Sequence, residues 1–91
     1  MPVTVRLPSL LRSQTGGVTE VELEGESVAE VIGKLKERLP GIVPTIWDEE
    51  GKLYPIVSIY VNDEHIRYRQ GLQTPLQDGD TVYVVPIIMG G

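Results

Sequence analysis

Apolar and polar residues alternate in two segments near the start of the chain, 3–7 and 18–23. A period of two residues places one set of side chains on one face of a β-strand, so each segment predicts a strand with one buried face. A Thr-Gly-Gly turn precedes the second segment, and we therefore predict an antiparallel hairpin. The intervening loop, 9–17, is expected to fold Leu10 and Leu11 back onto the core.

The period changes to that of a helix after the hairpin. Apolar residues recur at spacings of three and four over 28–39, which places them on a single stripe. Ser27 and Glu30 have the spacing of a capping box, in which each side chain accepts a hydrogen bond from the backbone N–H of the other residue. The Pro-Gly pair at 40–41 ends the predicted helix.

The connector 42–55 has no clear period and contains the acidic run 48–50. It predicts irregular backbone with one short helical turn near 43–48. Trp47 is the only tryptophan. We predict that it anchors the connector to the core, with ligand stacking as the alternative, because a buried indole contributes mainly apolar area. The three adjacent carboxylates are expected to stay solvated, since adjacent side chains do not converge as calcium ligands do.

Three further segments predict strands. The run 56–61 is nearly continuously apolar and rich in β-branched residues, which predicts a strand at the centre of the sheet. The more polar segment 64–68 predicts a short edge strand, and 81–85 predicts the last strand after a loop at 71–80. This order predicts an α+β fold, a β-β-α-β-β arrangement to which the short edge segment adds a fifth strand, with one helix packed across one face of a mixed sheet.

The chain is expected to divide into one domain, 1–85, and a flexible C-terminal tail, 86–91, that ends in Gly-Gly. Because glycine has no side chain, such a tail exposes its terminal carboxylate on a thin tether. We interpret Gly91 as the reactive residue, through its α-carboxylate, and Gly90 as its flexible tether. The residues interpreted as binding a partner are Ile87, Ile88 and Met89. The alternative for the two isoleucines is packing against the sheet.

Composition excludes several classes of function. A chain of 91 residues supports one modest core and leaves no room for a second domain. The net charge of −5 argues against a nucleic-acid partner, and the absence of cysteine excludes a disulfide, a thiolate nucleophile or a cysteine zinc site. The single histidine, His65, has no second histidine for metal binding, and we expect no metal site. With no signal-peptide pattern and no long apolar run, we expect a cytoplasmic protein without a membrane partner.

Several short motifs together resemble the MoaD/ThiS family of ubiquitin-like β-grasp sulfur carriers. This family includes the small subunit of molybdopterin synthase and the thiazole-forming carrier of thiamine synthesis. The motifs are 61–64, 74–82 and the terminal 90–91, so the resemblance spans essentially the whole chain. Within the family, the chain is most similar to the carriers that supply sulfide for cysteine synthesis from an activated serine. The segments that resemble these carriers are 3–5, 10–12, 15–17 and 59–64.

The resemblance implies a protein co-substrate rather than an enzyme. An adenylating enzyme of the ubiquitin-activating (E1-like) type would use ATP and magnesium to convert the Gly91 carboxylate to an acyl-adenylate, and a sulfur donor would convert that to a thiocarboxylate. The chain itself would bind no cofactor. Met89 differs from the family pattern, which more often has a small residue before the two glycines.

The sulfur-accepting partner implied by the resemblance is a synthase. We favour a cysteine synthase-like acceptor, followed by the large subunit of a molybdopterin synthase-like enzyme, of which this chain would then be the small subunit. A metalloprotease that trims the C-terminal adduct is a further implied partner. Two other functions stay open: a ubiquitin-like modifier joined through Gly91 to lysines of other proteins, and an interaction module whose Gly-Gly end is idle.

Overall fold

The structure is a computed structural model that describes residues 2–86. The expectations for 87–91 concern residues outside this range. The helices and strands, in chain order, are β1 (Pro2–Arg6), α1 (Arg12–Thr15), β2 (Glu20–Glu24), α2 (Val28–Arg38), α3 (Val43–Ile46), β3 (Val57–Val61), β4 (Glu64–His65) and β5 (Thr81–Pro86). Short 3-10 turns occupy 9–11, 40–42, 66–68 and 71–73.

The strands form one mixed five-stranded sheet in the order β2-β1-β5-β3-β4. β1 pairs antiparallel with β2, which confirms the predicted hairpin, and parallel with β5. β3 pairs antiparallel with β5 on one side and with the two-residue β4 on the other. The predicted α+β arrangement is confirmed, with β4 as a very short fifth strand at the edge.

The prediction that 56–61 forms the central strand is wrong. β5 is central, because two strands lie on each side of it, whereas β3 has only β4 on its outer side. Ile59 and Val61 of β3 are nevertheless fully buried in the core. The apolar run therefore reflects the burial of β3 side chains in the core, and not a central position of β3 in the sheet.

The edge strand predicted at 64–68 is shorter than expected. Only Glu64 and His65 pair with β3, and the chain then turns into the 3-10 turn at 66–68. The Arg67 backbone N–H donates to Nδ1 of His65 at 3.0 Å. This bond caps the turn and ends the strand, so the edge position is confirmed but the length is not.

Helix α2 packs its apolar stripe into the core, as predicted. Val28, Val31 and Leu35 are completely buried. Oγ of Ser27 accepts a hydrogen bond from the Glu30 N–H at 3.2 Å, which confirms the first half of the capping box. The second half is wrong by one residue, because the Glu30 carboxylate accepts from the N–H of Glu26, at 2.9 Å, and not from Ser27.

The connector between α2 and β3 behaves largely as predicted. Helix α3 is the short helical turn expected near 43–48, and Trp47 is only 5% exposed, so its anchoring role is confirmed. In the earlier loop, Leu11 is buried but Leu10 is 53% exposed, which contradicts the expectation that both would pack. Successive side chains of a 3-10 turn point about 120° apart, so only one of the two faces the core.

Candidate functional site

Strand β5 carries the chain from the centre of the sheet toward the predicted reactive tail. Its pairing with β1 ends at Arg6 and Tyr83, whereas its pairing with β3 continues to Pro86, opposite Val57. The strand therefore includes one residue more than the predicted 81–85. Its last three residues have a strand neighbour on one side only, so the chain leaves the sheet beside an open edge.

Pro86 fits this position because its nitrogen faces away from β3. In an antiparallel pair, hydrogen-bonded and non-hydrogen-bonded positions alternate. The Asn62 N–H donates to the Thr81 carbonyl at 2.7 Å, and the Val57 N–H donates to Tyr54. Val57 and Pro86 are therefore a non-hydrogen-bonded pair. The missing N–H of proline removes no bond to β3, and the ring fixes the backbone φ where the tail begins.

Partly exposed apolar residues neighbour this exit along the chain and in the strand pairing. Tyr54 and Ile56 are 36% and 45% exposed and precede Val57, the partner of Pro86, while Val85 is half-buried on β5. We call Tyr54, Ile56 and Val85 the tail-root patch. The sequence did not reveal this patch, because the apolar run from 56 onward predicted buried positions.

The five residues predicted to carry the chemistry lie outside the described part of the chain. They are Gly91 and Gly90, with Ile87, Ile88 and Met89 as partner contacts. The structure describes the strand that leads to them, and their roles stay predictions.

Two aspartates in the loops, Asp48 and Asp80, bond to the local backbone. Oδ1 of Asp48 accepts from the N–H groups of Glu50 and Lys52, at 2.8 and 2.9 Å, and so closes the connector turn. Oδ2 of Asp80 accepts from the Gln77 N–H at 2.9 Å and so closes the turn before β5. These bonds hold loops rather than a ligand.

Metal-binding groups do not converge in the part of the chain that the structure covers. Among residues 2–86, no group of three or more histidine, cysteine, aspartate or glutamate side chains is placed to hold a metal ion. His65 packs edge-on against Tyr60, with ring centres 5.1 Å apart. Within the same residues, no helix has the length and apolar character needed to cross a bilayer.

Nearly the whole chain matches a known protein family. A model of the ThiS family matches residues 5–91. The chain belongs to the ThiS family. The resemblance seen in the sequence motifs is therefore confirmed, and this ThiS-family chain is a sulfur carrier protein, a co-substrate and not an enzyme.

The ThiS-family chain is similar to individual relatives over all or nearly all of their length. The sulfur carrier protein CysO of Mycobacterium tuberculosis is 42% identical over 93 residues, with all of both chains covered. A chain in the crystal structure of the Amycolatopsis orientalis BexX/CysO complex is 42% identical, with a TM-score of 0.82, covering 98% of this chain and 99% of that one. The small archaeal modifier protein 1 of Methanosarcina acetivorans is 32% identical, with a TM-score of 0.84, covering 99% and 96%. These likenesses confirm the β-grasp fold.

Proposed function

We propose that the chain carries sulfur as a thiocarboxylate on Gly91 and donates it in cysteine synthesis. The observation that supports this pathway most directly is the full-length identity of 42% to a CysO sulfur carrier. The motif at 59–64, which resembles the carriers of cysteine synthesis, supports the same choice. Molybdopterin synthesis is the next pathway to consider.

Loading begins from a poor electrophile. An α-carboxyl group is ionised at neutral pH, so the Gly91 carboxylate needs activation by another protein. In an E1-like enzyme supplied with ATP and Mg²⁺, a carboxylate oxygen attacks the α-phosphorus, pyrophosphate leaves and an acyl-adenylate forms. A sulfide equivalent from a donor then attacks the acyl carbon, AMP leaves, and the thiocarboxylate remains. ATP and magnesium belong to the activating enzyme in this scheme.

Delivery uses the sulfur as the nucleophile. In a cysteine synthase-like acceptor, the thiocarboxylate attacks the β-carbon of an activated serine, and the leaving group of that serine departs. The amino acid is then joined to Gly91 through the transferred sulfur. Hydrolysis of the adduct, the step assigned to a metalloprotease, releases the product and restores the carboxylate. The crystallised complex of a similar CysO with BexX supports direct delivery between folded proteins.

Docking of the folded domain offsets the cost of ordering the tail. Fixing one residue costs about 1–2 kcal/mol of backbone entropy, so a tail of several residues needs a contact surface elsewhere. The tail-root patch supplies exposed apolar groups beside Val57 and Pro86. We expect Ile87, Ile88 and Met89 to add apolar contacts with the activating enzyme.

Reconstitution with candidate acceptors tests the proposal. The chain is loaded by its cognate adenylating enzyme with ATP, Mg²⁺ and a sulfur donor, and intact mass spectrometry follows the replacement of one terminal oxygen by sulfur. The loaded chain is then divided between a cysteine synthase-like enzyme with activated serine and a molybdopterin synthase large subunit with its precursor. We expect sulfur to leave the chain only in the first mixture.

The control for this experiment is the chain without Gly90 and Gly91. We expect it to fold normally and to form no acyl-adenylate. ATP consumption by the shortened chain at the rate of the full chain would contradict the site at Gly91. Sulfur transfer only to the molybdopterin precursor would contradict the pathway while leaving the site intact.

A protein modifier is the second candidate function. The small archaeal modifier protein 1 of Methanosarcina acetivorans shares 32% identity and nearly the full length of this chain, which supports this alternative. Conjugation starts from the same acyl-adenylate, with a lysine amine in place of the sulfur donor. Lysine-directed digestion of proteins from native cells should then release branched peptides that carry the C-terminal residues of this chain.

A further inference from the structure

An open groove lies between helix α2 and the connector. Its volume is about 350 Å³. Ile32, Trp47 and Leu53 contribute its apolar floor, and Lys36, Lys52 and Leu72 lie at its rim. Trp47 is almost fully buried, whereas Lys52 and Leu72 are exposed, so the groove is a surface channel with an apolar base.

Gly33 lies in the middle of α2 and lines this groove. Glycine in a helix interior is unfavourable relative to alanine, so it needs a reason. Close packing explains two other glycines. A β-carbon on Gly25 would collide with the Val31 side chain, and a β-carbon on Gly41 would collide with the Gln14 backbone. A β-carbon on Gly33 would meet no atom within 4 Å.

Backbone conformation does not explain Gly33 either. The other five glycines of residues 2–86 have positive φ, the region that disfavours side chains, whereas Gly33 lies in a regular helix. Gly33 is therefore the only glycine in this range for which neither a close contact nor a positive φ accounts for the residue. The free space above it keeps the helix backbone accessible from the groove.

The charge at the rim is opposite to that of the whole chain. The chain carries a net charge of −5, yet the groove is lined by two lysines and no acidic residue. Within the described 2–86 range, neither ammonium group lies within 4.0 Å of a carboxylate. The Lys36 ammonium lies instead 4.9 Å from the centre of the Trp47 ring. The rim is thus complementary to an anionic ligand.

We propose that this groove binds an acidic peptide segment of a partner protein. The main chain of the peptide passes over Gly33, one apolar side chain packs on Leu53 and Leu72, and carboxylates pair with Lys36 and Lys52. A peptide fits better than a small molecule, because the channel is open to solvent and ligand pockets for small molecules bury most of their ligand. Close approach of one backbone to another is also what a missing β-carbon permits.

Selection from a random phage-displayed peptide library tests this assignment. The full 91-residue chain is the target, and its Gly33→Leu variant, which fills the groove with a side chain that favours helix, is the counter-target. We expect the peptides retained only by the wild-type chain to be enriched in aspartate or glutamate next to a large apolar residue. Calorimetry measures the affinity of the selected peptides. We expect Gly33→Leu to weaken that affinity at least about tenfold, and the double variant Lys36→Gln, Lys52→Gln to weaken it about fivefold.

Two controls separate binding from folding. Gly33→Ala should raise the melting temperature by about 2–8 °C while it weakens peptide binding, so the two readouts move in opposite directions. Arg38→Gln removes an exposed cation of the same helix outside the groove and should leave peptide affinity unchanged. The proposal would be overturned if the retained peptides lacked acidic residues, if both targets bound them equally, or if no peptide were enriched. It would also be overturned if ATP, and not a peptide, saturated the groove.

Discussion

The ammonium group of Lys36 lies 4.9 Å from the centre of the Trp47 ring and joins helix α2 to the connector. A cation over an indole contributes about 0.5–1 kcal/mol at partly exposed sites. The lysine stem also covers apolar surface of the ring. Because Trp47 is the only tryptophan, its fluorescence reports this contact directly.

Lys36→Met should therefore cost less than Lys36→Ala. Methionine keeps an apolar stem over the ring and loses only the charge, so we expect a loss of about 0.5–1 kcal/mol in the free energy of unfolding, and more for alanine. Urea denaturation followed by tryptophan fluorescence measures both. Equal stability of the wild-type chain and the alanine variant would show that the contact does not hold the connector.

Leu35 is completely buried at the centre of the α2 stripe. We expect Leu35→Ala to cost about 2–5 kcal/mol through lost transfer energy and the cavity left behind. Leu35→Asp should prevent folding, since it buries an unpaired carboxylate. Circular dichroism and thermal melting check both changes, and an unaltered melting temperature for the aspartate variant would refute the packing of α2.

How much of this fold follows from the sequence depends on the range of the interaction. The hairpin and α2 were predictable because the alternation at 3–7 and the helical spacing over 28–39 depend on neighbours along the chain. The central strand was not. Strands β3 and β5 are both apolar and β-branched, and only the parallel pairing of β5 with β1, distant in sequence, places β5 in the middle.

The candidate site divides in the same way. The Gly-Gly end and the family motifs are read directly from the residues, whereas the tail-root patch depends on where the connector brings Tyr54 and Ile56 relative to Pro86. The groove beside Gly33 is also invisible in the sequence. A helix glycine predicts only lower helix stability, and its position over a channel requires Trp47 and Leu53 to be placed by tertiary packing.

Proline should be tolerated at 86 and rejected one residue earlier. Pro86 occupies a non-hydrogen-bonded position, so Pro86→Ala should cost less than about 1 kcal/mol, mainly through a freer unfolded chain. Val85 lies opposite Ser58 at a hydrogen-bonded position, and Val85→Pro should cost about 1–3 kcal/mol by removing a ladder bond and leaving its acceptor unsatisfied. Urea denaturation of the two variants measures the difference. Similar losses for both would contradict the register assigned to the end of β5.

Substitution by alanine should change the free energy of unfolding in opposite directions at Gly33, within α2, and at Gly41, just after it. At Gly41 the new β-carbon would overlap the carbonyl oxygen of Gln14, so the loop after α2 must move away from α1. We expect Gly41→Ala to lower the free energy of unfolding by about 1–3 kcal/mol, the usual cost of overpacking. Gly33→Ala meets no atom within 4 Å and should raise it by about 0.5–1 kcal/mol through helix propensity. Parallel thermal melts compare the pair. A stabilising Gly41→Ala would contradict the close contact between Gly41 and α1, and a destabilising Gly33→Ala would mean that the space above α2 is filled within the chain itself.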